Sequence, residues 1–472
     1  MLASPQTLDP KAPSTLSKAI EDLLEQLDQL GKGKLGISLT GEGIIRLETK
    51  SSVKKDPLSW LHSQKNNKKH YWRERVGGET IAGVGECLVF ESEHGSSIEL
   101  MLQRIRRLLN NSSDGVRIFG GIRFNLSSES ISDEWKSWKQ ARFVFPEIEL
   151  IRDGKETRLA CNLNAVILDK NRSLEELRRR ISELSEEDSN NVLESNFQFL
   201  KKHHKPEYEN WCDNVNQALS EIKSGTLNKI VLARKTEYQL QEAYDPLKFL
   251  LLLRDRAPNA YQYCFQFDKY QAWMGISPER LYKRQSRKIE TEAVASTRPR
   301  GTNSVEDKNL ALELLQSQKE VREHDLVLER IESVLNQFCD KITRKSYREI
   351  LKLRQVQHLL SRIEGHLNPE HGESTLINAI HPTPAVCGIP DEKAQLSIEQ
   401  LENFERGWYA GPVGWISKNG AEFAVGIRSA QIHHKTLRIY TGAGIVQGSD
   451  PDSEWNEIDA KLRNWESILE PA

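Results

Sequence analysis

AYQYCFQFDKYQAWMGISPERLYKRQSRKIETEAVASTR, residues 260–298, decides the fold. It reads as three strands in succession, AYQYCFQF, QAWMGISPERLYKR and KIETEAVASTR, joined by short turns. Working outward, the strands keep coming in groups. A helix over 205–223 leads into the strand NKIVLARKTEYQL, and a helix over 246–255 precedes the opening stretch. Downstream, the pattern predicts a long helix over about 305–340 and shorter helical pieces over 347–363, 374–380 and 397–407. A hairpin, GAEFAVGIRSAQIHH and KTLRIYTGAGIV, then delivers the chain to a last helix. In the first third, residues 34–48 alternate as a strand around a turn near Gly41–Gly43. GETIAGVGECLVFE, VRIFGGIRFN and ARFVFPEIELIRDG follow as strands, with a helix over 98–110. Residues 1–16 read as disordered, and 173–195 as a charged helix or loose connector. Grouped strands rather than strict βαβ units predict an α+β fold with extensive antiparallel sheets packed against helices. The expected division is one large domain, with a variable N-terminal part over 17–195 and a core over 200–470.

The totals narrow the function. Lys and Arg number 66 against 68 Asp and Glu in 472 residues, so nothing points to nucleic acid or an anionic membrane. Six scattered cysteines form no CxxC pair. That argues against zinc and against a disulfide framework, and it suggests a reducing compartment such as the cytoplasm. The N-terminus has no apolar core of a signal peptide, and KFLLLLRD is too short to span a bilayer.

Several stretches carry possible chemistry, each with a plain alternative. In KIVLARK, Lys229 shares a strand face with Val231 and Ala233. It is either an edge-strand lysine with its stem along the core, or a desolvated lysine able to act as a base. In MGISPERLYKR, Pro278 turns Glu279 out of the pleat, so Glu279 is a solvated residue at a kink or, in a cleft, a general acid. EAVASTRPRG offers the hydroxyls of Ser296 and Thr297 to an anion, or is simply a basic loop. In KEVREHDLVLERI, Glu323 lies beside an apolar stripe and is a possible Mg²⁺ ligand, while Glu320 and Glu329 read as solvated. HPTPAVCGIP, residues 381–390, is a fixed loop around Ala385, and Cys387 reads as a buried structural thiol. In EFAVGIRSA, small neighbours leave room above Arg428, for a carboxylate or for a cross-strand ion pair. GxGxxxG in TGAGIVQGSD is not a dinucleotide fingerprint, so NAD binding is rejected.

The last helix, SDPDSEWNEIDAKL, raises a question. Ser449 can cap it and Pro451 suits its first turn. Yet Glu454, Glu457 and Lys461 fall on or beside the apolar stripe of Trp455, Ile458, Leu462 and Trp465.

Taken together and in order, these marks identify a resemblance. From about residue 205 to 470 the chain resembles the chorismate-utilising enzymes, the isochorismate, salicylate, anthranilate and aminodeoxychorismate synthases. The marks are KIVLARK, GISPERL, ASTRPRG, REHDLVLERI, HPTPAVCG, RGWYAGPVGW, FAVGIRSA and YTGAGIVQGSDPDSEWNEIDAK. IFGGIRF and ARFVFPEIEL are the better marks of the first third, and HPTPAVCGIP and WYAGPVGW look most like the isochorismate branch. The resemblance implies Lys229 as the base that activates water for attack at C2 of chorismate, and Glu279 as the acid that protonates the departing C4 hydroxyl. It implies Glu323 and Glu457 as Mg²⁺ ligands, with Glu454 assisting through water. Arg428 and Lys461 match positions that hold the pyruvyl carboxylate. Tyr440 and the backbone around Gly442 and Gly444 would line the same pocket, with Ser296 and Thr297 near the ring carboxylate. At Ala385, relatives that use ammonia or make salicylate tend to have threonine, so alanine implies water as the nucleophile. One departure is Ala295-Ser296, where relatives usually have Ala-Gly. The implied activity is conversion of chorismate to isochorismate by a monomer without a glutaminase partner. The alternatives are a salicylate synthase, an aminating synthase, and a ligand-binding relative that has lost catalysis. The downstream route could be quinone, siderophore or salicylate, and the reading leans to quinone.

Overall fold

The computed structural model describes residues 15–34, 42–75, 77–93, 97–126, 132–165, 171–185, 197–352 and 356–471, with the backbone alone at 171, 172 and 297. The expectations for residues 1–14 and 186–195 lie outside these, as do residues 35–41 of the expected strand and turn. The opening stretch forms Tyr261–Asp268, Gln271–Ser277, Arg280–Gln285 and Lys288–Pro299. Neighbours across each turn pair antiparallel. The middle strand is therefore two, because Pro278 has no N–H for a ladder. Among the described strands the pairings are antiparallel except for Leu469–Pro471 beside Phe197–Lys205.

Side chains two apart share a face, and the sheet uses both faces. Tyr261, Tyr263, Phe265 and Trp273 enter one core, which the helices Ile98–Asn110, Gln318–Phe338 and Asp391–Leu401 cover. Cys264, Ala272 and Met274 enter a second, covered by Leu16–Gly31, Pro57–Ser63 and Pro246–Leu253. A large apolar side chain contributes about 1.5–3 kcal/mol when fully buried. Two cores of this size offset the desolvation of the charges the fold buries. The expected α+β architecture, extensive antiparallel sheet packed against helices, is what the chain adopts.

Several local expectations are corrected. The predicted helix over 305–340 is two, Ser304–Gln316 and Gln318–Phe338. Ser317 parts them, and its Oγ caps the second by accepting the Glu320 N–H. Residues 347–363 are not helical. They belong to the strands Cys339–Lys352 and Val356–Leu367, the second of which is held between the first and Lys288–Pro299. Their charged, leucine-containing sequence suits a helix locally, and the ladder overrides it. The helix expected over 397–407 is Asp391–Leu401. It stops where Glu402 turns inward to accept the Ala233 N–H at 2.7 Å. The helix expected from 205 begins at Tyr208, after a strand Phe197–Lys205. EFAVGIRSA is not one strand. Gly420–Val425 and Ser429–His433 are separated by a bend in which Arg428 has φ +48°. The last helix, Pro451–Glu466, is capped by Asp450, not Ser449, through the Ser453 N–H at 2.9 Å.

Candidate active site

The strands Lys229–Leu240 and Thr436–Val446 run antiparallel, with Val231 opposite Gly444 and Ala233 opposite Gly442. Their meeting end floors a cavity of about 120 Å³. Into it project Lys229, Glu279, Ser296, Glu323, Ala385, Arg428, Tyr440, Glu457 and Lys461, with Gly442 and Gly444 at its wall. Residues spread over more than two hundred positions are thus gathered at one place. The two glycines have a physical reason. A Cβ at Gly444 would sit 3.1 Å from Glu323 Oε1 and 3.2 Å from Lys229 Cε, and one at Gly442 would sit 2.8 Å from Tyr409 Oη.

Lys229 is 1% exposed, which removes the edge-strand alternative. Its ammonium donates to Glu323 Oε1 at 2.9 Å. Burial pushes the Glu323 carboxyl up, but the charge of Lys229 and hydrogen bonds from Lys229 and Ser296 hold it below the usual carboxylate range. Gly388 and Ile389, at the end of the 381–390 loop, pair with Ile230 and Lys229. Arg406 ties the same loop down by donating to the carbonyls of Val386 and Val231, both at 2.8 Å.

Glu279 stands directly after the kink at Pro278. Its N–H donates to Ser277 Oγ at 3.2 Å and its carbonyl accepts from Val425 at 3.1 Å. It is 6% exposed, so the solvated alternative fails. Burial pushes its acid up to about 7, against the pull of Lys229. Arg428 supplies a cation. Among the described residues no carboxylate lies within ion-pair distance of its guanidinium, and burial lowers it to about 10. Arg428 is the group in this cavity whose charge most needs an anionic ligand.

Lys461 donates to Glu457 Oε1 at 2.7 Å, one turn back, and to the Gly442 carbonyl at 2.8 Å. Glu454 is 7% exposed and lies outside the cavity lining. Burial, and then the charge of Glu457, push its acid up to about 7, with Glu323 adding to the repulsion. Three carboxylates therefore feel one another while two ammonium groups answer them. Among the described residues no set of three or more ligands forms a ready cage for a metal. Magnesium asks for less: hard oxygen donors, often two carboxylates completed by waters and substrate. Glu323 and Glu457 fit that donor set, and Glu454 fits a role behind them.

Ser296 explains its own departure from the expected glycine. It occupies a bulge with φ +64°, a conformation glycine adopts without cost. The serine Oγ is 2.6 Å from the Glu320 carbonyl and 3.1 Å from Glu323 Oε2, contacts glycine lacks. Glu320, read as solvated, is in fact half-buried there. The Thr297 side chain lies outside the described residues. Three lining residues with polar atoms went unassigned from sequence: His358, Tyr409 and Thr441. His358 faces the Ser296 carbonyl through Nδ1 at 3.1 Å, which assigns the proton to that nitrogen, and burial keeps the ring neutral, with a pKa of about 3. It was hidden because its segment reads as helix. Tyr409 stacks on Tyr440 with ring centroids 5.3 Å apart. Its signal was present in RGWYAGPVGW but carried no charge to draw notice. A larger cavity of about 560 Å³ shares Pro278, Arg428, Glu457 and Lys461 with this one and is also lined by Arg256, Arg300 and Lys352.

A buried acid, a buried ammonium and a guanidinium with no carboxylate in ion-pair distance among the described residues suit proton transfers on a small anion. A family model described as chorismate binding enzyme matches residues 39–470. Isochorismate synthase 2, chloroplastic, of Arabidopsis thaliana is 34% identical over 461 residues, covering 91% of this chain and 81% of that protein. Isochorismate synthase MenF of Haemophilus influenzae is 30% identical over 456 residues, covering 97% of each. The solved structure of MenF, the menaquinone-specific isochorismate synthase from Escherichia coli, superposes with a TM-score of 0.83 at 28% identity. It covers 96% of this chain and 100% of that one.

Proposed function

The chain belongs to the chorismate-binding enzyme family, and on that premise we propose how it works as an isochorismate synthase. Water adds at C2 of chorismate, the ring double bonds shift, and the C4 hydroxyl leaves as water. Lys229 takes the proton from the attacking water. Glu279 gives a proton to the departing hydroxyl. One water enters and one leaves, so the reaction is an isomerisation. The observation that carries this reading is one cavity in which a buried lysine and a buried glutamate sit with an arginine that has no carboxylate within ion-pair distance among the described residues.

The remaining roles follow from charge and reach. Arg428 and Lys461 hold the pyruvyl carboxylate, and Tyr440, Gly442 and Gly444 wall that side. Ser296, which lines the cavity, stands on the side of the ring carboxylate. The methyl of Ala385 leaves room beside C2 and offers no hydroxyl to orient a different nucleophile. An amine takes a proton only through its free lone pair, so Lys229 acts once it is released from the Glu323 carboxylate that accepts its hydrogen bond at 2.9 Å. Mg²⁺ bound by Glu323 and Glu457, with Glu454 assisting, would answer the substrate's ring carboxylate and draw charge as the C4–O bond breaks.

Glu457→Gln tests the cation assignment. It is expected to raise the Mg²⁺ concentration needed for half-maximal rate by at least about tenfold. An unchanged Mg²⁺ titration would remove Glu457 from the ligand set. The reaction itself is tested by incubating the protein with chorismate, with and without Mg²⁺, and identifying products. Isochorismate as the main product supports this reading. Salicylate with pyruvate would establish the rival synthase, and anthranilate formed from ammonia would establish an aminating one.

The chain acts alone in this reading, as a monomer on chorismate and water. No helix among the described residues is long and apolar enough to cross a membrane. All six cysteines stand unpaired, which supports a reducing compartment such as the cytoplasm. Likeness to the menaquinone-specific enzyme of Escherichia coli favours a quinone route for the product.

A further inference from the structure

Behind the acid lies a second layer of buried charge, and part of it comes from the opposite end of the chain. Arg75 sits in the turn between the strands Lys69–Arg73 and Thr80–Ser92. Its Nη1 donates to the Pro278 carbonyl at 2.9 Å, the peptide oxygen immediately before Glu279. Its Nη2 donates to Glu292 Oε1 at 2.6 Å. The same guanidinium lies over the Tyr261 ring, 5.1 Å from its centroid. One planar cation therefore bridges the kinked peptide and a carboxylate, a geometry that a fork of N–H donors fits and a lysine does not.

Glu292 is nearly as enclosed as the acid, at 4% exposure. Among the described residues its buried Oε2 has no hydrogen-bond partner. A buried, half-satisfied carboxylate is costly to keep unless its charge is used. Its other cations are more distant, Arg280 at 3.6 Å and Arg362 at 3.9 Å. The groups that face Glu279 come from four places. They are Lys229 on its strand, Glu292 on Lys288–Pro299, Arg75 on the turn, and Arg428 with Tyr409 on the far side. Arg75 and Glu292 act on Glu279 in opposite senses, since a cation favours the carboxylate and an anion favours the acid.

We propose that Arg75 and Glu292 are positioning residues for Glu279: Arg75 fixes the kinked peptide that carries it, and the pair sets the balance of charge that it faces. This rests on the reading of Glu279 as the acid. It gives the N-terminal part of the chain a direct stake in the chemistry, through one residue in a turn.

The test compares kcat against pH for isochorismate formation in the wild type, Glu292→Gln, Arg75→Met and Arg75→Lys. Removing the anion should move the alkaline limb to lower pH. Removing the cation should move it to higher pH, and lysine should bring it back towards the wild type with a lower plateau. Each shift should reach at least about half a pH unit, a threefold change in proton affinity. Limbs that coincide with the wild type, or that both move the same way, would overturn the proposal. If Arg75→Met melts too low to assay, Glu292→Gln decides by the shift of its limb and Arg75→Lys by its plateau, a wild-type plateau overturning the role of Arg75. Infrared absorption of the protonated carboxyl that disappears in Glu279→Gln reads the same titration without turnover. A midpoint unmoved there in Glu292→Gln sinks the coupling. Opposite shifts there with no kinetic limb would uphold the coupling and sink the reading of Glu279 as the acid.

Discussion

Replacing Lys229 with Ala is expected to lower kcat for isochorismate formation by about 10²–10⁴-fold, the range a positioned general base contributes. The argument is geometric. Lys229 is the first residue of its strand, paired with Val446 and Ile389, and with Val231, two residues on along the same face, it lines the cavity. It is 1% exposed, and Glu323 alone holds its ammonium by hydrogen bond among the described residues. Alanine also leaves the Glu323 carboxylate buried without its cation, which costs stability and could disturb the neighbouring carboxylates. Lys229→Gln guards against that, because an amide still donates to Glu323 but cannot accept a proton from water. Both variants should keep chorismate binding, measured calorimetrically, since Arg428 and Lys461 are untouched. Near-wild-type turnover in the glutamine variant would show that the base is elsewhere.

Glu279→Gln should have the second large effect, again about 10²–10⁴-fold in kcat. Its more telling consequence is in the pH profile. The acid works only while protonated. Burial holds its proton to about 7, so the wild-type rate should fall as pH rises through that region. The glutamine variant has no proton to lose there, and its residual rate should lack the fall. A profile with the same alkaline limb in both proteins would assign the titration to another group. Because glutamine is nearly isosteric and the backbone bonds to Ser277 and Val425 persist, a folding defect is not expected.

Much of this was legible locally. The three strands of residues 260–298 announced an antiparallel sheet, because alternation and turn residues are properties of neighbours in the chain. The last helix announced that carboxylates and an ammonium lie beside its apolar stripe, because helical periodicity places them there whatever they face. Pro278 announced the kink at Glu279 for the same local reason. Ser296 is a middle case. Its departure from the usual glycine was visible, but the positive φ that makes glycine the common choice was not.

What failed locally failed for one reason. Residues 347–363 carry charges and leucines that satisfy a helix as well as a strand, and a register with Lys288–Pro299 settles the matter from sixty residues away. His358 was lost with that segment, since its inward direction exists only once the ladder does. Arg428 was expected on a strand face and stands instead in a bend, where a neighbouring strand gives its backbone a partner at Ile276.

Residue types, periodicities and breakers along the chain were enough to establish the class of fold and the side of the last helix on which Glu454, Glu457 and Lys461 lie. They could not establish which candidates meet. That Lys229 is held by Glu323, that Lys461 reaches the Gly442 carbonyl, and that Arg75 reaches the peptide before Glu279 from two hundred residues upstream are facts of tertiary structure. Periodicity is a short-range property that a peptide carries with it. Burial, ion pairing and the proton affinity of a carboxyl depend on what lies across the gap, and only the folded chain brings that side into place.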